Sequence, residues 1–120
     1  MISALDNMTT RSDVFNKRSN NVDWIIDPRM SLEQASLYVC RTASKDSIEY
    51  YAKTLYSDDA AVQERCTAKS TIYTANLIAG LVSKTVKDII TASEGDLVKF
   101  LDMHVGKNQV NAWGQSGQKF

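Results

Sequence analysis

Along the 120 residues, short apolar runs that end in polar breaks alternate with one long stretch of helical spacing. Met1-Ile2-Ser3-Ala4-Leu5 stops at Asp6-Asn7, the pattern of a buried strand feeding a loop. Thr9 or Thr10 then suits the cap of a helix over 11–18, with Val14 and Phe15 as its apolar edge, before Asn20-Asn21 breaks it. Val22-Asp23-Trp24-Ile25-Ile26 reads as a strand ended by Asp27-Pro28, because the residue before a proline is pushed toward extended geometry. In 30–40 two periods compete. Ser31 with Gln34 fits a capping box, whereas Ala35, Leu37 and Val39 alternate with Gln34, Ser36 and Tyr38; the alternation favours a strand. Residues 46–56 place Ile48, Tyr51, Ala52 and Leu55 on one side of a helix, and Asp58-Asp59 suits the start of a short turn toward Val62.

The strongest element is a helix over 70–92. Ile72, Ala75, Ala79, Val82, Val86 and Ile89 recur at intervals of three to four, while Lys84, Lys87 and Asp88 mark a wet side. Its first half, Leu77 to Leu81, is apolar nearly all round, and Ala75, Ala79, Gly80 and Ser83 leave room for a close neighbour. This predicts a central, packed helix with Gly95 as its stop. Leu97 to Leu101 begins a strand, Gly106-Lys107-Asn108 turns the chain, and Val110 to Trp113 returns as a second strand, so the C-terminus is expected to form a β-hairpin. A short helix over 96–104 is the alternative. Gly114-Gln115-Ser116-Gly117-Gln118 reads as a flexible tail, which makes 1–113 one domain and 114–120 its tail.

Fourteen basic residues balance fourteen acidic ones. Nothing in that balance favours nucleic acid or an acidic membrane surface as a partner. The longest uncharged stretch, between Lys69 and Lys84, is too short and too rich in Ser, Thr and Asn to span a bilayer. Residues 1–21 lack the features of a secretory signal, so a reducing cytoplasmic setting is expected, with no disulfide scaffold from the two cysteines, Cys40 and Cys66. Those two cysteines and the single His104 cannot complete a four-ligand structural zinc site without carboxylates, and no zinc is expected.

Several residues bear on chemistry. Asp6-Asn7, followed by Arg11, stands at the end of a strand, where α/β proteins place metal or phosphate contacts; the plainer reading is a turn that caps the next helix. Asp27-Pro28-Arg29 reads as a turn with a surface ion pair. Cys66, between Arg65 and Lys69 and just ahead of the long helix, is placed where a thiolate is favoured; the alternative is a small buried hydrophobe. Cys40, closing an apolar run, reads as core, and His104 as a surface or strand-end residue. No glycine-rich phosphate loop and no G-x-S-x-G occurs.

Taken in order, Ile2-Ser3-Ala4-Leu5-Asp6-Asn7 with Arg11, then Trp24-Ile25-Ile26-Asp27-Pro28-Arg29-Met30, then Cys66-Thr67 leading into Ile72 to Ile90, resemble the second half of a ThiF/HesA/MoeB-type adenylyltransferase domain, the superfamily of the ubiquitin-activating enzymes. The resemblance spans about residues 1–105 and implies a Rossmann-like α/β fold, here its C-terminal part. It implies ATP and magnesium as cofactors, with Asp6 helping to hold magnesium and the ATP phosphates and Asn7 and Arg11 ordering that loop. It implies Cys66 as a candidate thiol nucleophile that takes over the activated carrier. The implied partner is a ubiquitin-like or sulfur-carrier protein whose C-terminal carboxylate is adenylated. The family's glycine-rich loop and its phosphate-contacting basic residues precede the Asp-Asn motif and have no counterpart here. A partial domain is therefore expected, inactive by itself, with a homo-oligomer or a missing N-terminal half as its completion. A non-catalytic interaction or regulatory module is the alternative function.

Overall fold

The computed structural model describes residues 1–55, 71–91 and 99–113. The expectations for Asp58-Asp59, Cys66, Gly95, Leu97-Val98 and the tail 114–120 lie outside the described residues. Within them the chain is mixed α/β: helix α1 (Met8–Asn16), strands β1 (Trp24–Ser31) and β2 (Gln34–Arg41), helices α2 (Lys45–Lys53) and α3 (Ile72–Ile90), then strands β3 (Phe100–His104) and β4 (Gln109–Trp113). The strands form one sheet in the order β1-β2-β3-β4, every neighbouring pair antiparallel. The parallel pairing expected of a Rossmann-like sheet is confined to a single bridge, Ile2 beside Ile26.

Strand alternation sorts the sheet into two unlike faces. Ile26, Leu37, Val39, Leu101 and Met103 point to one side and bury against Ile78 of α3. Ile25 and Cys40 point to the other, where Phe15 of α1 and Tyr51 of α2 cover them. Phe15 and Tyr51 meet edge to face at 5.3 Å. The result is three layers: α3, the sheet, and α1 with α2.

β1 does not end at Asp27-Pro28 as expected; it runs four residues further, to Ser31, with Pro28 opposite Leu37. The reason lies in which edge each N–H faces. The Ile26 N–H points away from β2, to the Met1 carbonyl at 2.9 Å. Pro28, two residues on, turns its nitrogen to that same outer edge, where no ladder bond with β2 is lost. The capping-box reading of Ser31 and Gln34 loses to a tight Leu32-Glu33 turn. That turn also receives α3 and the β3–β4 connection, since the Thr71 N–H donates to the Leu32 carbonyl (3.1 Å) and the Val105 N–H to the Glu33 carbonyl (2.7 Å). A Cβ at Gly106 would overlap the Glu33 carboxylate, so a larger residue there would have to push that flexible side chain aside. Asn108 closes the hairpin at φ 52°, a left-handed conformation that asparagine tolerates. The strand reading of 100–104 thus prevails over a helix.

α1 starts earlier than expected and is capped by Asn7, not by Thr9 or Thr10. The Ser44 side chain caps α2. α3 keeps its predicted length to within two residues at each end, but it is not packed all round. Its Thr74, Ile78 and Thr85 face the sheet, whereas Leu77, Ala79, Gly80 and Ser83 are exposed. One layer of sheet can cover only one side of a helix. Glycine in a helix interior costs about 1 kcal/mol relative to alanine, and nothing within the described fold needs it at position 80. No helix among the described residues is long and apolar enough to cross a membrane.

Truncating Leu37, 1% exposed on the central strand, to alanine is expected to cost about 2–5 kcal/mol in urea unfolding. Leu77→Ala, a change of equal size on the outer side of α3, is expected to stay within about 0.5 kcal/mol. Equal losses would contradict the one-sided burial of this helix.

Candidate functional site

The chain enters beside β1, with the Ser3 N–H donating to the Ile26 carbonyl at 2.8 Å, and leaves it through Leu5-Asp6-Asn7. Asn7 sets the start of α1: its Oδ1 accepts the Thr10 N–H at 2.7 Å, while its Nδ2 donates to Asp6 Oδ1 at 3.2 Å. Asp6 is therefore held from one side and faces solvent with the rest of its carboxylate.

One turn into α1, Arg11 reaches back. Its Nη2 donates to the Leu5 carbonyl and its Nε to Asp27 Oδ1 at 3.0 Å. Asp27 is fully buried, and its other oxygen accepts from Arg29 Nε (2.9 Å), Arg29 Nη2 (2.8 Å) and the Tyr51 hydroxyl (3.0 Å). Arg29 spends its remaining donors on the Thr54 carbonyl (3.1 Å) and hydroxyl (2.9 Å) at the end of α2, and lies 4.1 Å over the Tyr38 ring. Burial, and then the Asp27 carboxylate, hold the Tyr51 phenol far above its ordinary value, so it stays a donor. A buried charge is tolerable only when it is paired and its lone pairs are filled, as here.

The structure places Asp6, Asn7 and Arg11 close together, in one loop and the following turn. Sequence reasoning misjudged Asp27 and Arg29. They are not a surface turn but a buried mid-strand pair, and Tyr51 was not singled out at all. The available signal was the alternation itself, which sets Asp27 and Arg29 on the same face as Ile25. Cys66 lies outside the described residues. Cys40 is a fully buried free thiol, raised by burial, in keeping with a core role.

Further along the same face is a polar row. Asp102 Oδ1 accepts from the Ser36 hydroxyl at 2.9 Å and from Gln34 Nε2 at 3.3 Å. His104, two residues on, has a buried Nδ1 with no partner among the described residues. Among the described residues, no group of three or more His, Cys, Asp or Glu is placed to hold a metal. The exposed Asp6 carboxylate could supply a single oxygen ligand to a hard cation. On the α3 side an open apolar groove of about 620 Å³ runs between Met1-Ile2 and the end of α3, lined by Trp24, Val86, Ile89 and Ile90.

Comparison with protein-family models, with characterised proteins and with solved structures gives no match. What fold and site define is a class: an α/β domain whose antiparallel sheet carries an ion-pair cluster under an exposed Asp-Asn loop.

Asp27→Asn removes the charge that answers one buried and one partly buried guanidinium group and is expected to cost about 3–5 kcal/mol in denaturant unfolding. Glu49→Gln, at an exposed carboxylate paired with the exposed Lys45, is expected to cost less than about 0.5 kcal/mol. The pH dependence follows from Tyr51. Its folded pKa lies above its unfolded value, so its contribution is complete below pH 10 and declines as pH rises beyond it. The loss is expected at on the order of 1 kcal/mol per pH unit, and Tyr51→Phe should flatten that part of an alkaline stability profile.

Proposed function

We propose that this chain is the second part of a ThiF/HesA/MoeB-type adenylyltransferase domain, acting on the C-terminal carboxylate of a ubiquitin-like or sulfur-carrier protein. The observation that carries the reading is the Asp6-Asn7 loop: a solvent-facing carboxylate whose backbone is braced by Arg11 on the buried Asp27. Such bracing is what a group needs if it is to meet a ligand without reorganising. In this reading the antiparallel sheet belongs to a larger Rossmann-like sheet. The Ile2–Ile26 bridge supports a junction there, because it is parallel and leaves the N–H and carbonyl of Ile2 pointing away from β1.

In the reaction, a carboxylate oxygen of the carrier attacks the α-phosphorus of ATP. The bond from that phosphorus to the bridging oxygen breaks, and pyrophosphate leaves. Magnesium bound with ATP would offset charge on the phosphates. Asp6 would supply one oxygen ligand to it, while Asn7 holds the Asp6 carboxylate and the helix start together and Arg11 fixes the carbonyl of Leu5 just before them. In a later step, in a cytoplasmic setting, the deprotonated thiol of Cys66 attacks the carbonyl carbon of the carrier adenylate, forming a thioester as the bond to the phosphate oxygen breaks and AMP leaves. The second reading, a non-catalytic interaction module, is favoured by the exposed outer side of α3.

The chain alone is expected to show no ATP–pyrophosphate exchange, and robust exchange by it would overturn its assignment as one part of a domain. Joined to a part that carries a glycine-rich nucleotide loop, it should support exchange. Asp6→Ala should then lower exchange by about a hundredfold or more with stability changed by less than about 0.5 kcal/mol. Cys66→Ser should spare exchange and block only carrier transfer, since a serine hydroxyl is scarcely ionised near neutrality. Wild-type exchange by the Asp6 variant would remove Asp6 from the mechanism.

A further inference from the structure

The sheet uses only one side of α3, and the other side has an order of its own. At about 100° per residue, Tyr73, Leu77, Gly80, Ser83, Lys84 and Lys87 fall within about 60° of one line along the helix, and all six are exposed. Tyr73 and Leu77 leave 45% and 48% of their surface to solvent, and Ile72 at the helix start leaves 77%. Leu32, bonded through its carbonyl to the Thr71 N–H, adds a further exposed apolar side chain at that end.

Gly80 lies near the midpoint of this 19-residue helix, and among the described residues a Cβ there would meet nothing within 4 Å. Packing among the described residues gives no reason for a helix-weakening residue at that point. Close approach of a second helix does give one.

Charge and apolarity are arranged with opposite character about Gly80. Toward the N-terminus stand Tyr73 and Leu77, with the Glu33 carboxylate accepting from the Tyr73 hydroxyl. Toward the C-terminus stand Lys84 and Lys87, which share one carboxylate, Asp88, and so leave that end positive. Tyr73 and Lys87 are each seven residues from Gly80, about 10 Å along the axis. We propose that a second copy of this chain docks antiparallel on the outer face of α3, with the two-fold axis at Gly80. That axis lays Lys87 of each copy over the Tyr73 ring and the Glu33 carboxylate of the other, and it does so twice. One helix face with Leu32 at its end covers less than the roughly 800 Å² per partner of a standard interface, so the dimer is weak and forms at high protein concentration. The inference is independent of the adenylation reading, and the failure of either leaves the other standing.

Sedimentation equilibrium of the 120-residue chain over a concentration series tests it. The average mass is expected to rise from one chain toward two. Gly80→Arg, which meets open space among the described residues, should remain at one chain throughout while keeping the helical circular dichroism of the wild type. Lys87→Glu should weaken association at least about tenfold, and adding Glu33→Lys to the same chain should restore it to within about threefold. A wild-type chain that stays monomeric at every concentration overturns the proposal. So does a Gly80→Arg chain that associates like the wild type, which would place the contact elsewhere, for instance on the outer edge of β4. Failure of the double charge reversal to restore association overturns it independently of how Gly80→Arg folds.

Discussion

A carboxylate in the interior of a strand has no access to water, and every lone pair it offers has to be filled by the protein. Asp27 meets that demand with two arginines and a tyrosine drawn from α1, β1 and α2. Because each donor comes from a different element, satisfying one charge fixes three relative positions at once. Arg11 carries the constraint outward to the Leu5 carbonyl, and Arg29 carries it to the end of α2 through Thr54. The cluster is better regarded as a specifier of geometry than as a store of stability, since well-packed apolar residues often replace such networks without loss.

The two faces of the sheet consequently have different physics. The α3 side is held chiefly by apolar burial, which is non-directional and indifferent to small shifts, with hydrogen bonds to the Leu32-Glu33 turn only at the start of the helix. The α1/α2 side is held by directional bonds around a charge, and the exposed Asp6-Asn7 loop emerges from that side. Precise placement is therefore available where the candidate chemistry lies. The outer surface of α3, tied to the turn through Tyr73 and Glu33, is the face on which association is proposed.

Local sequence pattern determined a large part of this protein. The spacing from Ile72 to Ile89 specified α3, the alternation of Ala35, Leu37 and Val39 specified β2, and the glycine and asparagine at 106 and 108 specified the turn of the β3–β4 hairpin. Each of these depends on which side chains share a face, and periodicity records that directly. The proximity of Asp6, Asn7 and Arg11 was legible for the same reason, because they lie within two turns of chain.

Tertiary structure alone decided the rest. Strand direction depends on which strands meet across the sheet. Pro28 could stay in β1 because its nitrogen faces an edge that β2 does not use. Asp27 could be buried because Arg11 and Tyr51, 16 residues before it and 24 after it, arrive beside it. The half-exposed state of α3 follows from there being one sheet to cover it. An apolar run records how much surface a helix offers for burial, but not how many neighbours come to bury it.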